Sequence, residues 1–410
     1  MKNMKKSVFL LIICLIIPLF AGCTSGGSSL FFTGFPNKIV YEIGESVNFN
    51  GLSIESLNND GTTTKINLSE KDLPEIDTSS AGEKVVQINK GELSTTFTIY
   101  VANTVVNSKD QLKIAIQNAS DGDIIYIKKG EYKPDNTTDE SLYNIVINKK
   151  LTLVGDGESS TIIHGNFLVG AREESNGYLP LDKFSGVKFI NLGFKLNSTV
   201  KDRYNEFEGP YGKYDVFGAI KTYNTNDVTI KNCSFVGFSY AVNADNISGL
   251  NLINNSFRNL KINAVRVNND ISNTVLTKNR FMDIGASSLV MENTKQGNVG
   301  ALYFSFANDK NKGVIVANNT FVRTGLLTQK MVYNTSGADE LETQENLALT
   351  KGSYVNNSAI VFLVSTSTNN LNISGVVFSN NNYGVALKNF AFNTTKDNFV
   401  NQTGVIISEA

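Results

Sequence analysis

Phenylalanine closes five short segments that recur between residues 189 and 321. The segments are FINLGF (189–194), IKNCSF (230–235), LINNSF (252–257), LTKNRF (276–281) and IVANNTF (315–321). Phe235, Phe257 and Phe281 lie 22 and 24 residues apart, which is the length of one coil in a parallel β-helix. The 41-residue interval before Phe235 and the 40-residue interval after Phe281 hold either two coils or one coil plus a loop. This repeat favours a solenoid over a β-sandwich.

A second repeated position lies two residues before each phenylalanine. It is occupied by Leu192, Cys233, Asn255, Asn279 and Asn319. In stacked coils these positions lie about 4.8 Å above one another, so that one asparagine amide can bond to the next. The repeat therefore predicts a ladder of asparagines beside an interior stack of the five phenylalanines.

The residues before the repeat predict how the solenoid begins. SKDQLKIAIQNA (108–119) is a short amphipathic helix with a capping box at Ser108 and Gln111. GDIIYIKKGEY, LTLVG and TIIHGNF follow as short β-runs broken by glycine. This order resembles the N-terminal cap and first coils of pectate-lyase-like right-handed β-helices. The resemblance implies a right-handed parallel β-helix over residues 104–410.

Residues 30–103 have a different pattern, with strand-like runs and turn signals about ten residues apart. The landmarks are Tyr41, Gly44-Glu45, Gly51-Leu52, Asp60-Gly61, the TSSAG run at 78–82 and FTIYV at 97–101. In this order they resemble a bacterial Ig-like domain. The resemblance implies a small β-sandwich that acts as a spacer or adhesive module and carries no catalytic residues. The predicted fold class is thus all-β, an Ig-like β-sandwich followed by the β-helix and its capping helix.

The first residues read as a signal peptide. Lys2, Lys5 and Lys6 precede the apolar run VFLLIICLIIPLF, which is short for a membrane span. FAGC, ending at Cys23, resembles the lipobox of bacterial lipoproteins, and TSGGSS suits a flexible tether. We therefore expect a signal peptide at 1–22, lipidation of Cys23 and a tether at 23–29. The alternative is an ordinary secretory signal in which this cysteine is incidental.

Four strands, each of which follows one of the phenylalanine segments, share an alternation that defines a candidate binding face. They contain GAIKTY, YAVNAD, NAVRVN and GALYFS. The alternation points Ile220, Val242, Val265 and Leu302 inward. The residues that it points outward, all on one sheet, are Lys221, Asn243, Arg266 and Tyr303. The segment 197–217 precedes this face and adds Arg203, Tyr204, Tyr211 and Tyr214. Aromatic and basic groups on one sheet suit an acidic or neutral glycan, and the alternative is an ordinary solvated surface.

Catalysis by this face is a second hypothesis. A polysaccharide lyase needs a base and a cation or Ca²⁺ beside a uronate carboxylate, and Lys221 and Arg266 are the candidate catalytic residues. Asp215 or Asp245 could help to hold calcium. The sequence has no Asp-Asp pair, and its only histidine, His164, follows two isoleucines with no acidic neighbour in its own segment. We therefore expect His164 to be a wall residue and expect no histidine or thiolate metal site.

The net charge of the chain limits the classes of molecule that it is expected to bind. The chain has 37 basic and 38 acidic residues, and removal of the three signal-peptide lysines leaves 34 against 38, a net charge of −4. No basic arm is present, so the composition argues against nucleic-acid binding. The favoured function is glycan or host-surface interaction by a lipoprotein anchored at the cell envelope and exposed outside the cytoplasm, without a cofactor. The alternatives are a polysaccharide lyase, with Ca²⁺ as its candidate cofactor, and a purely structural surface protein.

Overall fold

The structure is a computed structural model, and it divides the chain into two compact units. It describes residues 29–136, 139, 141–170, 172–173, 177–178, 185–196, 218–238, 240–260, 263–284, 287–290, 300–306, 312–324, 329–333, 339–343, 358–364, 376–383, 388–392 and 405–408. Cys23 and the predicted signal peptide lie outside these residues. Within them, no helix combines the length and the apolar character needed to cross a membrane.

Residues 29–101 contain two three-stranded sheets. One sheet is antiparallel and consists of Ser29–Gly34, Ser53–Leu57 and Thr63–Ile66. The other consists of Val40–Tyr41, Leu93–Val101 and Gly82–Lys90. A short 3₁₀ turn, Glu70–Asp72, follows the first sheet. Alternating residues such as Val86, Ile88 and Ile99 are buried, as a two-layer β fold requires.

The parallel β-helix begins with strand Thr104–Val106, and the predicted helix follows it. The helix, Lys109–Asn118, buries Leu112, Ala115 and Ile116. The Ser108 hydroxyl accepts a hydrogen bond from the Gln111 amide, as the capping box predicts. The Gln111 side chain, however, accepts from the Asn107 amide rather than from that of Ser108 itself. The N-cap is thus Ser108, as predicted, and only the return hydrogen bond to Gln111 is displaced by one residue.

Three parallel sheets follow one another around each coil, and we number them in chain order. Sheet 1 consists of Thr104–Val106, Ile124–Ile127, Thr152–Gly155, Lys188–Ile190, Thr229–Lys231, Asn251–Ile253, the end of Asn263–Thr277, Lys312–Ala317, Val376–Ser379 and Val405–Ser408. Sheet 2 consists of Gly130–Tyr132, Thr161–Ile163, Gly193–Lys195, Ser234–Val236, Ser256–Leu260, Arg280–Ile284, Thr320–Thr324 and Asn382–Tyr383. Sheet 3 consists of Ile145–Ile147, Phe167–Val169, Gly218–Asn226, Tyr240–Ser248, the start of Asn263–Thr277, Gly300–Phe306, Ser358–Val364 and Lys388–Phe392.

Two groups of strands lie outside these sheets. Arg172–Glu173 and Gly177–Tyr178 form a short antiparallel pair. Ser287–Val290 pairs with Gln329–Tyr333, which also pairs with Asp339–Thr343.

The phenylalanine stack is confirmed. Phe194, Phe235, Phe257, Phe281 and Phe321 follow one another at centroid distances of 4.9, 5.1, 4.9 and 4.8 Å with nearly parallel rings. Tyr383 extends the stack at 5.1 Å. Because each phenylalanine pairs directly with the next, each long interval holds one coil plus an insertion, not two coils.

The asparagine ladder is also confirmed. Asn255 Nδ2 donates to Asn279 Oδ1 at 3.0 Å, and Asn279 Nδ2 donates to Asn319 Oδ1 at 3.0 Å. Asn381 continues the ladder at 2.9 Å. Cys233 occupies the preceding ladder position as a buried free thiol, and burial raises its pKa to about 12. The inert thiol agrees with its predicted role as a small interior residue.

A second asparagine ladder, which sequence reasoning did not find, lies in the turn from sheet 1 to sheet 2. Asn191, Asn232, Asn254 and Asn318 adopt the left-handed conformation there, with φ between 53° and 58°. Asparagine tolerates this conformation better than most residues. The amide of Asn232 donates to Asn191 at 3.0 Å, and that of Asn254 donates to Asn232 at 2.9 Å. Lys278 occupies the same turn position in one coil, with φ 59°.

Candidate functional site

The predicted row of outward-facing residues lies on sheet 3 in the predicted register. Lys221 pairs with Asn243, Asn243 with Arg266, and Arg266 with Tyr303. Their neighbours Ile220, Val242, Val265 and Leu302 are fully buried and belong to the core. The strand spacing places Lys221 and Arg266 two rungs, or about 10 Å, apart.

The exposure of this row differs from the prediction at its two ends. Lys221 is only 1 % exposed and Tyr303 6 % exposed, although both were expected to face solvent. The stem of Lys221 lies over Gly218, where an added Cβ would be 3.1 Å from the lysine Cε. A long aliphatic stem can be buried in this way, whatever the parity of its position in the strand. Asn243 and Arg266 are half-buried and form the accessible middle of the row.

Arg266 is held by contacts on several sides. Its Nε donates to Asn268 Oδ1 at 3.1 Å, and Nη1 donates to the Tyr240 hydroxyl at 3.2 Å. The guanidinium carbon also lies 5.0 Å from the centroid of the Tyr303 ring and 5.5 Å from that of Tyr240. Cation–π contacts and fixed hydrogen bonds reduce the rotamer freedom of an arginine. The planar group is thus positioned before any ligand arrives.

A second polar row lies two residues further along the same strands. Asn268 Nδ2 donates to Asn243 Oδ1 at 3.1 Å, and Asn269 Nδ2 donates to Asp245 Oδ1 at 2.5 Å. Sequence reasoning considered Asp245 only as a calcium ligand and overlooked Asn268. The two-residue period of a strand could have found both, because residues i and i+2 share a face.

Tyr240 could not have been assigned to the site from that period. It has the same parity as the buried Val242, which predicts an inward side chain. Tyr240 stands instead at the start of its strand, where the coil turns from sheet 2, and its hydroxyl bonds Arg266. The position of Tyr240 at the corner of the coil, rather than the inward–outward alternation along the strand, determines the direction of its side chain.

Part of the predicted site falls outside the described residues. This applies to Arg203, Tyr204, Tyr211, Tyr214 and Asp215. The long segments of chain nevertheless leave and enter at the two edges of sheet 3. Residues 196–217, 285–299 and 325–357 connect sheet 2 to sheet 3, and residues 170–187 and 365–375 connect sheet 3 to sheet 1. Long connections therefore precede or follow several strands of sheet 3.

The described residues offer little for a metal ion. No group of three or more histidine, cysteine, aspartate or glutamate side chains converges anywhere in the described ranges. Asp245, a proposed calcium ligand, is already bonded to the Asn269 amide. The described part of the face thus presents guanidinium, amide and phenol groups.

His164 lies on sheet 2, away from this face, and its surroundings correct one expectation. Its own segment holds no acid, but Glu131 from the neighbouring coil approaches it, with 3.9 Å between Oε2 and Nε2. The ring is buried, and this Nε2 has no hydrogen-bond partner. Burial lowers the pKa of His164; Glu131 opposes this shift, whereas Lys195 and Lys133 reinforce it.

The pKa of His164 predicts how stability changes with pH. Since the folded-state pKa lies below the unfolded value, the unfolded chain binds the proton more readily. The contribution of neutral His164 to the free energy of unfolding is fully present above about pH 6.5. It decreases as the pH drops towards the folded-state pKa. We expect the urea midpoint of the native chain to fall between pH 7.5 and 5.5, and that of His164→Asn to fall less. If the urea midpoint of the native chain fell no more than that of His164→Asn, the lowered pKa of His164 would be contradicted.

Comparison with known proteins agrees with the N-terminal assignment. Residues 36–101 match the family model of the bacterial Ig-like domain (group 3). The match lies within the predicted range of 30–103, and this part of the chain is called the Ig-like domain below. No curated protein sequence matches the chain.

Solved structures with a similar backbone include three carbohydrate-active enzymes. The catalytic domain of a GH87 alpha-1,3-glucanase mutant in complex with tetrasaccharides is 16 % identical, with a TM-score of 0.39 over 95 % of this chain and 76 % of that one. A PL6 family alginate lyase is 11 % identical, with a TM-score of 0.36 over 74 % of this chain and 40 % of that one. A pectin methylesterase mutant in complex with a hexasaccharide is 10 % identical, with a TM-score of 0.30 over 72 % of this chain and 96 % of that one. Similarity at this level carries no information about substrate.

Proposed function

We propose that the outer face of sheet 3 binds a glycan chain. The observation that carries the proposal is the fixed guanidinium of Arg266, held by Tyr240 and Asn268 and stacked against Tyr303. Arg266 and Asn243 are partly accessible, so they can offer donors to hydroxyl or carboxylate oxygens. Tyr303 and Lys221 belong to the same row but are buried, and Tyr303 contributes by stacking on Arg266.

The shape of the face favours an extended ligand. Its polar groups repeat along the solenoid axis at about 4.8 Å per rung. A pocket for a small molecule would instead bury most of its ligand. We infer a polymer that lies along the axis and contacts several coils.

Substitution of Arg266 tests this proposal directly. We expect Arg266→Ala to weaken binding to the best ligand in a panel of neutral and acidic polysaccharides by about 10-fold or more, because a preorganised charged donor is lost. Arg266→Lys should recover only part of the affinity, since an ammonium lacks the planar fork. Affinity electrophoresis in native gels containing each polysaccharide measures the change.

Lys113→Ala, which removes an exposed charge from the capping helix, is the matched control and should bind as the native chain does. If no polysaccharide retards the native chain, or if Arg266→Ala is retarded equally, sheet 3 is not a glycan site. The first of these results would favour a purely structural role.

The lyase hypothesis has less support than binding. Its candidate base, Lys221, is buried, whereas a general base must reach the proton that it removes. Lyase activity would appear as new absorbance from the unsaturated product when the chain is incubated with uronate polymers, with or without Ca²⁺. We therefore propose binding without catalysis.

We propose further that the protein is a lipoprotein, attached to the membrane through Cys23 and exposed outside the cytoplasm. The support is the FAGC segment and the Gly- and Ser-rich run after it. We expect Cys23→Ala to move most of the protein from the membrane fraction to the soluble fraction, because two or three acyl chains anchor far more firmly than a single contact surface. An unchanged distribution between fractions would rule out this anchor.

A further inference from the structure

A strongly basic edge lies where sheet 1 turns into sheet 2. In four successive coils this part of the chain comprises residues 186–196, 228–236, 250–258 and 274–282. These segments contain no aspartate or glutamate, although the whole chain is slightly acidic. Their six cations are Lys188, Lys195, Lys231, Arg258, Lys278 and Arg280. We call these six residues the basic edge.

The cations of the basic edge repel one another. The pKa of Lys231 is lowered because the ammonium is largely desolvated and because Lys278 and Lys188 add like charge. In the described part of the chain, Lys231, Lys278 and Arg280 form no salt bridge. Glu158, from the coil before residues 186–196, interacts with Arg258, and burial raises the pKa of this carboxyl. Within the described residues, Lys231, Lys278 and Arg280 thus carry positive charge that no salt bridge neutralises.

Lys278 adds an independent sign of function. It stands in the left-handed turn that neighbouring coils fill with asparagine, at φ 59° against 54° in Asn254 and 58° in Asn318. A lysine adopts this conformation less readily than asparagine does. It also interrupts a ladder of amide hydrogen bonds. Backbone strain and lost hydrogen bonds at one exposed lysine point to a role for its charge.

We propose that the basic edge binds a linear polyanion that runs along the solenoid axis. Each of the four coils supplies at least one cation, and neighbouring coils are about 4.8 Å apart. This spacing suits a polymer with one anionic group about every 5 Å. The edge lies on sheets 1 and 2, so the site is separate from the glycan face of sheet 3.

The exposed side chains of the edge favour a polymer over a membrane surface. The strongly exposed large apolar residues of the described chain are Phe35, Ile43, Val85, Ile114 and Val146. None of them lies on the basic edge. A surface that docks onto lipid usually adds apolar groups that enter the bilayer interface. The edge offers charge and asparagine amides instead.

Binding of polygalacturonate, which carries one carboxylate per sugar residue, tests the proposal. We expect the full chain to bind the labelled polymer at ~0.01 M salt, where the Debye length is about 30 Å, and to release most of it at ~0.5 M. Lys231→Gln combined with Lys278→Asn should weaken binding about 10-fold. Lys278→Asn alone should also weaken binding, yet raise the melting temperature, because it restores the turn ladder.

Matched variants separate this site from the other proposal. Lys113→Gln should leave polymer binding unchanged, and a neutral dextran of equal length should not bind the edge. The Lys231→Gln and Lys278→Asn changes should weaken polymer binding by the same factor in an Arg266→Ala chain as in the native chain, since Arg266 lies on another face. Equal polymer binding by native and double-variant chains would overturn the proposal. Binding to anionic phospholipid vesicles but not to polymer, sensitive to the same two lysines, would overturn it in favour of a membrane surface.

Discussion

Asn279→Ala is expected to lower the free energy of unfolding by about 3–5 kcal/mol, more than an ordinary polar substitution. The buried amide makes hydrogen bonds on both sides. Its Oδ1 accepts from the Asn255 backbone and side-chain amides, each at 3.0 Å. Its Nδ2 donates to the Leu252 carbonyl at 2.8 Å and to Asn319 Oδ1 at 3.0 Å. Alanine would leave several buried groups without partners, and each such group costs about 1–3 kcal/mol.

The ladder variants are compared by urea unfolding. Asn279→Asp keeps the acceptor but points an oxygen at the Leu252 carbonyl and at Asn319 Oδ1, so it should destabilise at least as strongly. Asn251→Ala is the control, because its half-buried amide makes one local contact, to the Gly249 carbonyl at 3.2 Å. We expect that control to cost less than about 1 kcal/mol. An Asn279→Ala chain as stable as the control would show that the ladder is not a major source of stability.

Phe257→Ala is expected to destabilise the β-helix by about 3–5 kcal/mol. Phe257 is fully buried and stacks between Phe235 at 5.1 Å and Phe281 at 4.9 Å. Its removal loses the transfer free energy of the ring and opens a cavity that the neighbouring rungs cannot close, because their backbone hydrogen bonds fix the spacing. Each lost ring contact adds about 0.5–1.5 kcal/mol.

A graded series distinguishes stacking from burial. Phe257→Leu should cost less than the alanine change, since it keeps most of the volume but not the ring contacts. Val236→Ala, on the outer side of the neighbouring strand, should change stability by less than about 1 kcal/mol. A double-mutant cycle between Phe257 and Phe281 measures their coupling. Zero coupling, together with equal losses for Leu and Ala, would argue against a stabilising stack.

The repeat explains why so much of the solenoid could be predicted. Each coil pairs with the next in parallel register, so residues one period apart must lie above one another. The spacing of Phe235, Phe257 and Phe281 therefore fixed the interior stack. The same spacing placed Asn255 above Asn279 and Lys221 in line with Asn243. A one-residue slip would have turned every core side chain outward, so the hydrophobic pattern determines this register.

Accessibility of the candidate face was not predictable in the same way. Alternation tells on which side of a strand a residue lies, but not what covers it. Lys221 and Tyr303 have the parity of exposed residues and are nevertheless buried. Tyr240 has the parity of a core residue, but its position at a coil corner brings its hydroxyl to Arg266. Such contacts depend on how long side chains fold over the sheet.

The sequence alone determined the all-β class, the Ig-like domain, the coil register, the phenylalanine stack and the ladder of Asn255, Asn279 and Asn319, because each follows from a local pattern or a fixed period. Closure of the coils decided the rest. It buried Lys221, placed Arg266 beside Tyr240, brought Glu131 to His164, and gathered six dispersed cations along one edge. No basic cluster is visible along the chain, since these cations come from separate coils. They come to lie in adjacent coils only because parallel pairing stacks segments roughly twenty to forty residues apart at strand spacings of about 4.8 Å.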